Sequence, residues 1–403
     1  MVSKYDLLYS VYLNEGLTAA QLVRKIGKTP YNYDTVLKHL LQLREDKLVE
    51  TKKNQYYLVQ MEQTKKLLSI VDYCYRNKID YNELFLDKTI EFIKAGLEDK
   101  DLSELDLNNR TRARISFFLS KQGFLLIESK KPFKARIVYS DFLKKVVEIF
   151  SDKVKVKCGK IYEQVDETEI DSQIEKEFSK YKKSAKQLNI DDEVRFIHRS
   201  LSLEGNTMTL SETEKLIKEN IPPKSRTFQE MQETVDYKKA LDYLIEVKEL
   251  DFESILKFHA TAMNSLNAGA GEFRKQNVKI KGNPEFKTAD WRQIPNQLED
   301  LFKNYTSKIH KKIKAYESVE LATHLHSEFQ HIHPFIDGNS RTSRAIFIHT
   351  LLLKGFSLIN FPAGFVEQYM ELTKLSKKRD DKKFTIFMKQ LVLHSIKQTN
   401  QKI

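Results

Sequence analysis

The sequence predicts a mainly α-helical protein: a helical core with one β-hairpin flap, preceded by winged helix-turn-helix modules of α+β character. Three observations carry this. Apolar residues recur at helical spacing through most of residues 190–398. Two pairs of short strand-like runs, one near residue 50 and one near residue 130, each enclose a lysine-rich tip. The chain has 403 residues, 40% of them hydrophobic and 31% charged, which is room for two or three domains with cores of their own.

Composition narrows the function classes. No apolar run is long enough to span a bilayer, and the opening MVSKYDLLYSVYLNEG does not read as a signal peptide. No membrane partner is therefore expected, and the cytoplasm is the expected location. Cys74 and Cys158 stand far apart and outside metal-type spacing, which argues against a disulfide framework or a structural zinc site. The net charge of +12 fits either a polyanion partner such as DNA, RNA or a nucleotide, or a lysine-rich solvated surface.

Residues 1–60 read as a winged helix-turn-helix. Tyr5, Leu8, Val11 and Tyr12 share a helical face, Thr18 caps a short helix Ala19–Ile26, and a third helix carries Val36, Leu37, Leu40, Leu41 and Leu43. Leu48–Thr51 and Gln55–Val59 form the wing, with Lys52 and Lys53 near its tip. The third helix would present Tyr31, Asn32, Tyr33, Thr35 and Lys38 to a DNA groove. Residues 61–160 are a helical region with a second such module at 86–140. There, helix Lys88–Leu97, the short Leu102–Leu107 segment and a basic helix with Arg110, Arg112 and Arg114 precede strands Phe124–Glu128 and Lys134–Tyr139. Either module also reads as a protein-docking winged helix.

Residues 161–190 are highly charged and are expected as a solvated helix or linker. From 191 to 398 the amphipathic runs Phe228–Val247, Phe252–Leu266, Ile294–Ile313, Ser318–Ile332, Thr342–Leu353 and Phe384–Ile396 predict one helical domain. Val278–Gly282 alternates like a hairpin strand.

The chemistry concentrates in His333-Pro334-Phe335-Ile336-Asp337-Gly338-Asn339-Ser340-Arg341-Thr342-Ser343-Arg344, a polar loop feeding a helix N-terminus. Unpaired N–H groups and the macrodipole at such a start bind phosphate. Gly338 permits unusual backbone angles. Arg341 and Arg344, three apart, can face one anion. Asp337 suits Mg²⁺, and His333 suits a general base. His324, His326 and His331 lack metalloprotease spacing and read as packed histidines rather than zinc ligands. Trp291 and Arg292 either pack or contact a base.

This segment resembles the Fic-family motif H-P-F-x-[D/E]-G-N-G-R-x-x-R, with Ser340 where the family has glycine. Gly271–Arg274 followed by Val278, Lys279 and Ile280 is similar to the Fic flap, which holds an extended target segment by β-augmentation. Ser200–Asn206 is similar to the inhibitory motif [S/T]-x-x-x-E-[G/N], placed as in the class with an N-terminal inhibitory helix. The resemblance covers about half the chain at the level of domains. It implies a protein adenylyltransferase moving AMP from ATP to a Ser, Thr or Tyr hydroxyl of a target protein. His333 would be the base, and Asp337 would hold Mg²⁺. Gly338, Asn339 and Ser340 would cradle phosphates, with Arg341 on the pyrophosphate, Arg344 on the γ-phosphate and Glu204 as inhibitor. Removal of AMP is a second activity found in some members. Ser340 leaves open a different donor pose or product, since a related branch with lysine there acts as a kinase. The alternative is a DNA-binding transcriptional regulator whose Fic domain senses nucleotide or is inactive. A homodimer is a further state that the sequence leaves open.

Overall fold

The computed structural model describes residues 3–26, 33–151, 153–163, 165–181, 189–280 and 283–401. Tyr31 and Asn32 of the expected reading helix lie outside them, as do Lys281 and Gly282 of the hairpin stretch. The described residues are mainly helical, with four short strands in two two-stranded sheets. Among them no helix is long and apolar enough to cross a membrane. The chain divides into two compact units: residues 1–118 with 127–158, and residues 119–126 with 159–403.

The first unit opens with helices α1 (Lys4–Leu13), α2 (Ala19–Ile26) and α3 (Tyr33–Glu45), followed by strands β1 (Val49–Lys52) and β2 (Gln55–Leu58). A capping box, Ser3 with Asp6, starts α1. The helices meet through Leu7, Leu8, Val11, Leu22, Val36, Leu40 and Leu43, all fully buried. The strands pair antiparallel, Val49 opposite Leu58 and Lys52 opposite Gln55; Lys53 and Asn54 turn the chain with positive φ. Helices α4 (Glu62–Arg76), α5 (Tyr81–Leu84) and α6 (Asp87–Leu97) come next. Then follow α7 (Asn109–Lys121) and strand β3 (Leu125–Lys130), whose residues 119–121 and 125–126 count with the second unit, then β4 (Phe133–Ile137) and α8 (Asp141–Phe150). The short 102–107 segment is a run of turns rather than a helix.

The second unit holds α9 (Glu167–Tyr181), α10 (Ile190–Ser202), α11 (Leu210–Glu219), α12 (Phe228–Glu246), α13 (Phe252–Ala262), α14 (Ile294–Ile309), α15 (Ala315–Ile332), α16 (Asn339–Leu353), α17 (Val366–Leu372) and α18 (Asp381–Gln401). Capping boxes start α11 (Thr209 with Glu212), α12 (Thr227 with Glu230) and α13 (Asp251 with Ser254), fixing their first turns locally. Helix α16 is the centre: every residue from Arg341 to Leu351 is buried. A helix apolar on one stripe covers a core; one buried all round runs through it. Helix α15 packs along it, with α14 and α18 against α15, and α10, α12 and α13 against α16.

Several expected boundaries move. Helix α14 stops at Ile309 rather than running to Ile313, because the Lys354 ammonium donates to the carbonyls of Ile309 and Lys311 and closes the end. Helix α13 stops at Ala262, before a turn-rich stretch reaching Gly271. Of the expected hairpin at 278–282, the described residues show one bridge, Ile280 with Asn283. The charged 161–190 segment is not simply solvated. Ile170 and Ile174 of α9 are buried, and its Glu167 and Asp171 sit 2.9 and 2.7 Å from the fully buried Lys389 of α18. Glu320 of α15 completes that cluster at 2.6 Å, so a buried ammonium is matched by carboxylates from two helices.

Candidate active site

The loop between α15 and α16 is shaped by its own sequence. His333 ends α15 with φ +53, in the left-handed region, and its N–H donates to Phe329 O at 3.0 Å. Gly338 starts α16 with φ +83. A Cβ there would lie 2.9 Å from His259 Nε2 and 2.8 Å from Met263 Sδ, so both the backbone angle and the space demand glycine. Asn339 closes the loop on itself: its Oδ1 accepts from Phe335 N at 2.9 Å and its Nδ2 donates to Phe335 O at 2.8 Å. Among the described residues no side chain caps α16, so its first N–H groups face the loop unpaired.

Two residues outside the loop hold it in place. His259 stacks flat on Phe335, ring centres 3.5 Å apart. Gly271 N–H donates to its Nδ1 at 2.9 Å, so the hydrogen sits on Nε2, which donates to Asp337 O at 2.9 Å. Burial pushes its pKa down to about 4, keeping the ring neutral. Arg274 is buried and spends its guanidinium on carbonyls: Nε to His333 O at 2.8 Å, Nη1 to Gln276 O at 2.8 Å, Nη2 to Ala289 O at 2.5 Å. Its own N–H donates to Pro334 O at 2.9 Å. One side chain thus ties the flap to the loop. The G-E-F-R segment is legible in the sequence; which carbonyls the arginine reaches is not. His259 carries no signal in the sequence at all.

A cavity of about 340 Å³ opens over the loop. His333, Asp337 and Ser340 line it from below, Val278, Lys279 and Ile280 from the flap, and Lys374 from the segment after α17. Its size is that of a small-ligand site. His333 Nδ1 faces Gln330 O at 3.3 Å; a carbonyl only accepts, so Nδ1 carries the hydrogen and Nε2 keeps a lone pair. Burial lowers the His333 pKa to about 4, with Arg274 pushing the same way against the Gln330 hydrogen bond. Asp337 keeps 60% of its side chain exposed; its Oδ1 takes Gly338 N–H at 2.6 Å and its Oδ2 takes Arg341 Nη2 at 3.1 Å. Ser340 Oγ accepts from Gln330 Nε2 at 3.0 Å. Among the described residues no three His, Cys, Asp or Glu side chains gather as a metal cluster.

The two arginines do not share one anion. Arg341 is 4% exposed and donates to Glu233 Oε1 of α12 at 2.5 Å as well as to Asp337. Burial raises the Glu233 pKa, and the neighbouring Glu204 and Asp337 push it further up against Asn206 and Arg341. Arg344 is fully buried: Nε donates to Ser200 Oγ, and Nη2 to Ser200 O and to Glu204 Oε1, at 2.9, 2.9 and 2.8 Å. Ser200 Oγ lies 2.9 Å from the Tyr237 hydroxyl, which donates to Arg341 O at 3.2 Å, so the two arginine positions are wired together. Glu204 has a second cation, Lys374, whose ammonium lies 2.7 Å from Oε2 and donates to Leu203 O at 3.1 Å. Burial pushes the Glu204 carboxyl up, but Arg344 and Lys374 together outweigh it and hold it at about 2. Glu233 and Lys374 have no motif to mark them.

Tyr33, Thr35 and Lys38 lie on α3, and Lys52 and Lys53 at the β1–β2 turn, in the first unit and outside this cavity. Lys52 is spent on Glu50 at 2.7 Å.

A mainly helical unit with a loop-fed central helix and this order of side chains defines a Fic-type fold. Residues 249–351 match the Fic/DOC family, so the chain carries a Fic/DOC family domain, with the whole His333–Arg344 segment inside it. The chain is 29% identical over 198 residues to protein adenylyltransferase Fic of Drosophila willistoni and 28% identical over 198 residues to that of Drosophila persimilis. Each match takes 48% of this chain and spans only 38% of the relative. The fold is similar to that of a Fic family protein from Desulfovibrio desulfuricans G20, with a TM-score of 0.50 at 18% identity, over 61% of this chain and 76% of that one.

Proposed function

We propose that this chain is a protein adenylyltransferase of the class with an N-terminal inhibitory helix, moving AMP from ATP to a protein hydroxyl and restrained by Glu204. The observation that carries the reading is one constellation. His333 and Asp337 face a cavity at an uncapped helix start, while the Arg344 beneath is neutralised by Glu204.

The triphosphate would lie at the start of α16, where free N–H groups, the macrodipole and the tight Gly338 turn favour anions. His333 Nε2 would take the proton of the target hydroxyl as its oxygen bonds to the α-phosphorus. The bond from that phosphorus to the bridging oxygen breaks, and pyrophosphate leaves with the electron pair. Arg341, held by Glu233 and Asp337, would face that leaving group. Arg344 would take the γ-phosphate once Glu204 withdraws. Ser340 and the backbone at Gly338 would border the phosphates, while Asn339 sets the loop that presents them. Val278, Lys279 and Ile280 would receive an extended target segment, leaving its hydroxyl over His333.

Mg²⁺ fits these residues. A site for it needs one or two carboxylates, with phosphates and water completing the shell, and Asp337 offers an exposed carboxylate into the cavity. Asp337 would hold it, and bound there it would supply positive charge against the phosphates. Catalysis would then come mostly from positioning and charge stabilisation.

The test is incorporation of label from α-labelled ATP by wild type, Glu204→Gly and His333→Ala, followed by mass spectrometry. Strong labelling of Glu204→Gly alone, with a mass gain of AMP, supports the reading. Equal labelling of all three, or none, would overturn it; a gain of phosphate would assign the departure at Ser340 to a different product. Loss of AMP from the labelled protein, followed in the same assay, tests the reverse reaction. The N-terminal helices and hairpins are proposed as winged helices; their DNA role is a separate question.

A further inference from the structure

The two helix-and-hairpin modules in the N-terminal part of the chain differ sharply in charge. From Tyr33 to Val59 there are five Lys and Arg against four Asp and Glu. From Asn108 to Ser140 there are eight against one, Glu128, and that one is spent on Arg136 at 2.6 Å. Helix α7 has the sequence NRTRARISFFLSK, with no carboxylate in it.

Geometry sorts these charges. Arg110, Ala113, Arg114 and Phe117 are exposed and follow the spacing of one helical face. Phe117 is 62% exposed, an unusual place for a large apolar ring beside two guanidinium groups. Arg112 is two positions on from Arg110, about 200° round the helix. It donates to the carbonyls of Ser103 and Leu105 at 3.0 and 2.9 Å and lies 5.8 Å from the centre of the Phe133 ring. It therefore ties the turn that carries Asp101, Glu104 and Asp106 to the helix and lies against the hairpin tip. At that tip Lys130, Lys131 and Lys134 are exposed; Asp101 is near enough to Lys134 for their charges to interact. Arg114 is shared with Glu83 at 3.1 Å.

We infer that this second module, not the first, is a docking surface for duplex DNA, with the Arg110–Arg114–Phe117 face of α7 entering the major groove and the lysines of the β3–β4 tip on the phosphate backbone. Charge complementarity selects a polyanion. An exposed helix face selects a duplex whose groove admits a helix, which B-form DNA has and the deep, narrow major groove of A-form RNA lacks. Phe117 supplies an apolar contact of the sort a thymine methyl accepts. The inference does not depend on the nucleotide chemistry of the other unit.

The experiment is fluorescence anisotropy of the full chain with a labelled mixed-sequence DNA duplex, titrated between about 50 and about 200 mM salt. Binding should weaken steeply with salt. Arg110→Glu and the triple Lys130→Ala, Lys131→Ala, Lys134→Ala variant should each weaken it. The triple should also flatten the log–log salt slope by about 0.9 for each phosphate that is no longer neutralised. Phe117→Ala should weaken binding with the slope unchanged. Lys38→Ala with Lys53→Ala should leave it as in wild type. Arg110, Phe117 and the three lysines are exposed, and thermal melts confirm folding of each variant. The inference is overturned by no salt-sensitive duplex binding, by loss of binding on Lys38 and Lys53 instead, or by equal affinity for an RNA duplex.

Discussion

Arg344 has no exposed surface, and its guanidinium donates to the Glu204 carboxylate at 2.8 Å across a sequence separation of 140 residues. A buried guanidinium must have an anion. Here that anion is Glu204, just beyond α10, and under the proposed function a nucleotide would have to compete with it. Glu204→Gly is therefore expected to raise AMP incorporation by about tenfold or more, the equivalent of at least ~1.4 kcal/mol of competition removed. Label per mole of protein with α-labelled ATP is the readout. An unchanged value would mean that the pair is structural only.

Lys374 makes a graded version of the same test. It holds the other oxygen of Glu204, 2.7 Å away, while Arg344 keeps its own hydrogen bond. Lys374→Met is expected to raise labelling less than Glu204→Gly does, because one of two cations on the carboxylate remains. In the Glu204→Gly background the methionine should add no further rise. A further rise there would mean that Lys374 restrains the site by some other route.

Under the proposed mechanism His333 sets the acid side of the pH profile. Burial lowers His333 to about 4, so it is the free base throughout the physiological range. The acid limb of kcat/KM in the Glu204→Gly chain should fall near about pH 4 to 5, and a limb centred at about 6.5 would count against His333 as the base. Stability follows the same sign. With His259 and His333 both depressed to about 4, the unfolded chain binds more protons between roughly pH 4 and 6.5. Stability is fully present above the unfolded pKa and is lost as pH falls through that window. Urea midpoints measured at intervals across it should decline steadily.

Inhibition should survive the same acidification. Glu204 is held at about 2 by Arg344 and Lys374 against the effect of burial, so it stays ionised well below its ordinary value of 4.5. The ratio of Glu204→Gly to wild-type labelling is expected to be flat from about pH 5 to about pH 8, since the carboxylate does not titrate there. A ratio that collapses toward one at the acid end would contradict the pairing.

Gly338→Ala tests the loop itself. The added methyl meets His259 and Met263 within 2.9 Å at a backbone φ of +83. A loss on the order of 1–3 kcal/mol or more, seen in the melting temperature, is expected. Gly205→Ala is the control: its φ is +103, but nothing lies within 4 Å of the added atom, so only the backbone cost applies. Equal losses in both would remove the His259 clash from the explanation.

Much of this is readable in one dimension. The caps at Thr227 and Asp251, the helical spacing of α12 and α15, and the order His333, Asp337, Gly338, Arg344 are local patterns, and local patterns need only neighbouring residues. Partners from distant helices are another matter. Asn339 reads as a phosphate ligand, yet both of its amide atoms bond the Phe335 backbone. Arg341 and Arg344 read as a pair for one anion, yet Glu233 from α12 takes the first and Glu204, just beyond α10, the second. The charged stretch near residue 170 reads as solvated, yet Lys389 of α18 draws two of its carboxylates inward.

Spacing and chemistry along a few turns were thus enough to place the starts of α12, α13 and α14 and the polar loop meeting a helix N-terminus, while α15, α16 and α18 each begin three residues before the apolar pattern does. Packing alone brought Glu204, Ser200 and Lys374 together around Arg344, set His259 between Phe335 and the Asp337 carbonyl, and clamped His333 with Arg274. A buried charge or polar group must find its partner in space, and how helices pack selects that partner, which no local pattern encodes.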